Sequence, residues 1–306
     1  MNPDLHDAGV AAPPTGWHVW WTAARPRTLL LAATPVLVGI ALAWAEGATL
    51  QAGIGLATLL AALFIQVGTN LHNDAADCER GNDGSDRLGP LRVTAAGWAS
   101  AARVRNAARL AFAAAFLLGC YLAAVGGWPI VAIGIGSLVA GVAYSGGSHP
   151  ISHTSWGELF VWLFFGVLAV AGSYWLQAAR LSPAAILTGV ALGFPAAAVL
   201  LVNNLRDAAA DVAVGRRTFA TLLGDAGARR LHTVLVLAPF PSLPMLAVLL
   251  PGRHGLWLAV LALPACLKTA MRMRTATGTA LNGVLADTAR AQFLFGLFLS
   301  IGCLLP

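Results

Sequence analysis

Nine apolar runs follow one another along this chain, and each is close to the length a helix needs to cross a membrane. They fall at 28–45, 52–73, 106–124, 129–145, 157–177, 183–202, 231–250, 255–270 and 284–304. About 20 residues of helix cover the ~30 Å hydrocarbon core of a bilayer. The runs are continuous and rich in Ala, Leu and Gly, whereas the strands of a β-barrel are shorter and alternate apolar with polar. The pattern predicts an all-α, multi-span transmembrane bundle of about nine helices. Of the 306 residues 58% are hydrophobic and only 10% charged. Soluble domains carry about 25% charged residues, so this chain lacks a water-facing surface, and its length suits one bundle better than two soluble domains.

Residues 1–21 contain Pro, Gly, Asp and His with no apolar run, which is not the pattern of a signal peptide. They read as a cytoplasmic N-terminal tail ending in interfacial aromatics, Trp17, Trp20 and Trp21, ahead of a transmembrane domain at 22–306. Four scattered cysteines, Cys78, Cys120, Cys266 and Cys303, show neither disulfide nor zinc spacing.

A net charge of +6 would suit a nucleic-acid partner, but the basic residues sit in alternate loops. Seventeen of the 19 flank one set of span ends, and only Arg180 and Arg253 lie on the other. The positive-inside rule then places the N-terminus in the cytoplasm, in the cell's inner membrane, with the lipid bilayer as partner and no nucleic acid.

Acidic residues concentrate in the same basic loops. Asn70, Asn73, Asp74 and Asp77 stand three or four apart and share a helix face. Asn203, Asp207 and Asp211 do the same at steps of four. Both segments close even-numbered spans, so both acidic faces reach the same membrane side, at helix C-termini whose dipoles favour a cation. Uncompensated acids are costly there. Hard oxygen ligands in small number suit Mg²⁺ that retains waters and also binds substrate phosphates. The interleaved Arg80, Arg87, Arg92, Arg206, Arg216 and Arg217 suit phosphate oxygens, so the set is fitted to a metal–diphosphate. Two solvated loops with local Asp–Arg pairs are the plainer alternative, which accounts for either segment alone better than for both on one side. The 133-residue separation of Asp74 and Asp207 also fits two repeated halves with a site at their junction.

With these motifs the chain resembles the UbiA-type membrane prenyltransferase superfamily, and within it the branch acting on 1,4-dihydroxy-2-naphthoate. The resemblance rests on Arg25-Pro-Arg-Thr28, the Asn70–Asp77 segment, Arg87-Leu-Gly-Pro-Leu-Arg-Val-Thr94, Tyr144-Ser-Gly-Gly147, the run from Gly157-Glu158 to Gly166, and Asn203 through Gly224. It implies a bundle around a central cavity, with Asp74, Asp77, Asp207 and Asp211 holding Mg²⁺ and Asn70, Asn73 and Asn203 supporting them. It implies that Arg80, Arg87 and Arg216, joined by Arg25, contact the diphosphate of a polyprenyl diphosphate, and that Tyr144 lies near the acceptor or the developing cation. The reaction implied is transfer of the polyprenyl group to the naphthoate with loss of CO₂ and diphosphate, giving demethylmenaquinol for menaquinone biosynthesis. A different aromatic acceptor such as 4-hydroxybenzoate is the nearest alternative, and a divalent-cation transporter the alternative of another class. The chain departs from the superfamily pattern at Gly81, where an Asp is common; Asp83 supplies one two positions later and joins the metal set. His149 stands where a lysine is common, and Arg216 replaces a lysine with a planar fork.

Other polar residues have plainer readings. His72 is one helix position off the acidic face and reads as packing. Glu158 opens a span and reads as a first-turn cap, with a catalytic role as the rival. Asn282 and Asp287 precede the last span and read as interfacial groups.

Overall fold

The computed structural model describes residues 16–81, 88–147 and 150–305. Asp83, Arg87, His149 and the expected tail before residue 16 lie outside them. A short helix, α1 (Trp17–Ala24), is followed by nine helices long and apolar enough to span a membrane: α2 (Pro26–Ala45), α3 (Ala52–Glu79), α4 (Ala101–Gly126), α5 (Trp128–Ser145), α6 (Gly157–Ala178), α7 (Pro183–Ala213), α8 (Phe219–Leu249), α9 (His254–Met273) and α10 (Gly278–Leu304). No strand occurs among the described residues. The chain is a multi-pass, all-helical membrane protein, as the nine apolar runs predict.

Burial separates an inner from an outer set of helices. In its most apolar stretch α7 is 72% buried, against 22% for α4 and 17% for α5. Outer helices turn large apolar side chains such as Leu110, Leu117 and Val248 outward, where lipid rather than water must meet them. Inner helices approach on small residues, as packing in lipid requires. On α6, a Cβ at Gly166 would fall 2.5 Å from the Gly189 carbonyl of α7. The same stretch of α6 loosens into a π-helical turn at Leu163–Leu168, a local widening often found beside functional sites.

Several elements run beyond the apolar runs that predict them, all at one end of the bundle. Helix α3 continues to Glu79, α7 to Ala213, and α8 starts at Phe219 rather than 231. These extensions are polar turns, invisible to hydropathy, and they carry Asp74, Asp77, Asp207 and Asp211. Residues 17–21, read as the end of the tail, belong to α1, where Val19 and Ala23 pack on Leu71 and Ala75 of α3. Trp17, Trp20 and Trp21 stay exposed on its other side. Arg180 and Arg253 both reach the far end of α2, on the carbonyls of Glu46 and Ala45.

Candidate active site

The first acidic segment forms the last two turns of α3, and its members do three different things. Asn70 is buried, and its Nδ2 donates to the Ala24 carbonyl and to Thr28 Oγ1, each at 2.9 Å. It pins the elbow between α1 and α2, where Arg25 holds a left-handed backbone (φ 52°). That conformation is costly for a non-glycine residue and persists only where its surroundings fix it. Asp74 is only 1% exposed. Its carboxylate accepts the Val93 amide (3.1 Å), the Thr94 amide (3.4 Å) and the Thr94 hydroxyl, so it clamps the loop after α3. Asp77 pairs with the buried guanidinium of Arg92, which that loop carries. Asn73, half-buried, lies on the same two turns.

The second segment is built on α7. Arg206 is buried and binds Asp207 through two bonds of 2.8 and 2.6 Å. It also donates to Asn203 Oδ1 and to Asn282 Oδ1 of α10, each at 2.8 Å. Asn282 in turn donates to the Leu88 carbonyl at 2.8 Å. Asn282, read as an interfacial group, thus ties the last helix to the second acidic segment and to the loop that follows α3. Asp287 pairs with Arg272 on the neighbouring α9.

The segments meet at Arg216. Its Nη1 lies 3.1 Å from Asp211 Oδ1 and its Nη2 lies 3.9 Å from Asp77 Oδ1. Its amide also donates to the Asp211 carbonyl at 2.8 Å, fixing the turn that follows α7. Among the described residues its Nε is buried without a hydrogen-bond partner, a guanidinium donor left unsatisfied. Arg80, expected on the same anion, stands 3.9 Å from Asp77 and donates to the Ser145 (2.5 Å) and Gly147 (3.3 Å) carbonyls. It neutralises the C-terminal end of α5 and anchors the residues after Tyr144.

His153 accepts the Arg217 amide on its carbonyl at 3.0 Å. Burial, followed by the charges of Arg216 and Arg80, pushes its imidazole down to about 4, so it is neutral beside the arginines. A lone loop histidine carries no sequence signal that would single it out. Glu158 does begin α6, as expected, but it is buried and accepts Asn204 Nδ2 at 2.9 Å rather than only capping its helix.

Beside this polar end lies an apolar cavity of about 460 Å³. Gln66, Thr69 and Tyr144 supply polar groups to its wall, and Phe160, Phe164 and Leu168 are among its apolar lining. Tyr144 joins the two regions: it lines the cavity and lies within electrostatic reach of Arg25, Asp77, Glu158 and Asp211.

The donor chemistry can be tested against Mg²⁺. Among the described residues no three His, Cys, Asp or Glu side chains converge as a metal cage. Asp77 and Asp211 instead face each other across Arg216. Hard oxygen donors too few to enclose a metal, with an unsatisfied guanidinium donor beside them, fit Mg²⁺ completed by phosphate oxygens and water.

Among the described residues, nine helices able to span a membrane thus enclose an apolar cavity with paired carboxylates and arginines at one end, the arrangement the motifs predict for a membrane-embedded prenyltransferase. The chain belongs to the UbiA prenyltransferase family, whose sequence model matches residues 32–283. It is 36% identical over 295 residues to the 1,4-dihydroxy-2-naphthoate octaprenyltransferase of Escherichia coli (strain K12), covering 94% of this chain and 95% of that one. It is 34% identical over 282 residues to the enzyme of the same name from Mycobacterium tuberculosis (strain ATCC 25618 / H37Rv), covering 91% and 94%. The fold matches that of a UbiA homolog from Archaeoglobus fulgidus bound to GPP and Mg²⁺, with a TM-score of 0.61 at 17% identity over 92% of this chain and 99% of that one. The resemblance carried by the motifs is thereby confirmed, and the chain is a prenyltransferase.

Proposed function

We propose that this protein transfers the polyprenyl group of a polyprenyl diphosphate to 1,4-dihydroxy-2-naphthoate, releasing diphosphate and CO₂ and forming demethylmenaquinol in menaquinone biosynthesis. The observation that carries the reading is Arg216 set between Asp77 and Asp211 beside the apolar cavity. Near full-length relatives named for that acceptor support the choice of ring.

The diphosphate would lie against Arg216, with Arg25 and Arg87 as further contacts, and Arg80 would join them on releasing the Ser145 and Gly147 carbonyls. Asp77 and Asp211, joined by Asp207 and Asp83, would hold Mg²⁺. Asp74 is part of the expected metal set, and reaching the metal would require it to release Val93 and Thr94. When bound, Mg²⁺ neutralises charge building on the leaving diphosphate. Arg216 adds electrostatic stabilisation to the same oxygens. The cavity takes the prenyl chain and keeps water from the allylic carbon while its bond to oxygen breaks. Tyr144 lines the cavity within electrostatic reach of Asp77 and Asp211, and would lie near the acceptor or the developing cation. Asn70 and Asn203 act indirectly, by setting the Arg25 elbow and the Arg206–Asp207 pair. The basic-residue asymmetry supports a cytoplasmic position for this end, and the membrane would be the inner one.

One assay tests the reading: radiolabelled polyprenyl diphosphate is incubated with the purified protein, a panel of aromatic acids, and either Mg²⁺ or EDTA. The expected result is labelled product from the naphthoate, abolished by EDTA and restored by Mg²⁺. Undiminished transfer in excess chelator would remove the metal, and the absence of any prenylated product would remove the reaction.

A further inference from the structure

One buried carboxylate takes no part in the acid–arginine system. Glu158 is 4% exposed, its Oε1 is held by Asn204 Nδ2 at 2.9 Å, and its Oε2 is buried without a partner among the described residues. A lone buried carboxylate oxygen is expensive and calls for an occupant. Asn204 follows Asn203 on α7, so the helix that carries the second acidic segment also orients this carboxyl. Glu158 is within electrostatic reach of the Tyr144 phenol, where cavity and charged end meet. It also lines a cleft of about 470 Å³ whose other walls include Trp156, Trp162, Phe194 and Phe219.

We propose that Glu158, oriented by Asn204, is the proton acceptor for the hydroxyl of the aromatic acceptor. The inference rests on the naphthoate reading above. As the ring carbon bearing the carboxylate bonds to the allylic carbon, the allylic C–O bond breaks and its electron pair leaves on the diphosphate. The neighbouring hydroxyl passes its proton to Glu158 Oε2 and becomes a ketone. The carboxylate is then β to that ketone, so its C–C bond breaks, CO₂ departs, and the electron pair restores the aromatic ring. The oxygen recovers its proton from Glu158, which returns to its starting state. No external oxidant or base is consumed.

Asn204 from α7 holds the carboxyl, and Tyr144 from α5 lies within its electrostatic reach. Asp77 from α3, Asp211 from α7 and Arg25 from the α1–α2 elbow lie within electrostatic reach of the same phenol. The test compares wild type, Glu158→Gln and Glu158→Asp with Mg²⁺, polyprenyl diphosphate and the naphthoate, measuring kcat and both KM values from mildly acidic to alkaline pH. Removing a positioned base costs about 10²- to 10⁴-fold. Glu158→Gln is expected to lose kcat in that range with KM for the diphosphate unchanged. Its rate should climb with pH as the acceptor hydroxyl ionises unaided, a climb absent from wild type. Glu158→Asp keeps a base with shorter reach and should retain an intermediate kcat; it also decides the matter if the glutamine variant does not fold. A near wild-type kcat in both variants, or an equal loss at every pH, would overturn the proposal. If wild type prenylates 4-hydroxybenzoate but not the naphthoate, the acceptor reading fails instead, and the same comparison on that phenol still decides the role of Glu158.

Discussion

Arg216 and Asp211 are five residues apart, and the turn after α7 folds so that the guanidinium Nη1 lies 3.1 Å from the carboxylate Oδ1. The other nitrogen, Nη2, reaches toward Asp77 of α3 at 3.9 Å. One side chain thus joins the two acidic segments across the bundle, and among the described residues its Nε is buried without a partner. Charge-assisted bonds of this kind are worth about 1.5–3 kcal/mol each, or roughly 10- to 100-fold in affinity. Arg216→Ala should raise KM for polyprenyl diphosphate by that factor and leave KM for the acceptor near its wild-type value, while Arg216→Lys recovers much of the loss. Steady-state kinetics with each substrate varied in turn checks this; an equal rise in both KM values would count against a diphosphate role.

Asp74 and Asp207 should respond differently to the same change. Asp74 is buried and holds three donors of the 93–94 backbone and side chain. Asp207 is partly open and bound to one arginine. Leaving buried donors unpaired costs about 1–3 kcal/mol. Asp74→Asn should therefore lower the melting temperature in detergent by several degrees, because an amide group replaces an acceptor oxygen among three donors, whereas Asp207→Asn keeps an oxygen for the buried Arg206 and should reduce turnover with a smaller change in melting. Equal melting temperatures would remove the clamp assigned to Asp74.

The sequence shows the outlines of this site better than its wiring. Helical spacing alone puts Asp74 and Asp77 on one face of α3, yet they separate: one binds backbone amides and the other Arg92, because the following loop folds back over the helix end. Periodicity within a helix says nothing about such a loop. Asn282 reads as interfacial for the same reason, since its partners Arg206 and Leu88 lie 76 and 194 residues away. The apolar runs, by contrast, are a local property and mark the nine spans directly. Hydropathy loses the helix ends, where polar turns of α3, α7 and α8 carry the chemistry.

His153 gives the protein a pH dependence of known sign. Its imidazole sits at about 4 in the folded protein, below the ordinary 6.5, because of burial and the charges of Arg216 and Arg80. Between those values the unfolded chain binds a proton that the folded protein does not. Stability is therefore full above about 6.5 and falls as pH drops toward 4. His153→Asn, which cannot charge, should show a smaller decrease in melting temperature between neutral and mildly acidic pH. An identical decrease in both proteins would show that His153 does not contribute.

The basic-residue split predicts sidedness. In a background lacking the four native cysteines, Ala96→Cys and Val214→Cys should react with impermeant reagents from the cytoplasmic side. Thr49→Cys and Leu181→Cys, at the other end of the bundle, should react from the opposite side. Labelling of Ala96→Cys and Val214→Cys from different faces would separate the two acidic segments and dismantle the site.

The reaction itself can be read from one carbon atom. Purified protein with Mg²⁺, polyprenyl diphosphate and 1,4-dihydroxy-2-naphthoate labelled in its carboxyl group should release labelled CO₂ one for one with prenylated ring. Prenylation of 4-hydroxybenzoate with its carboxylate retained, and no turnover of the naphthoate, would contradict the account.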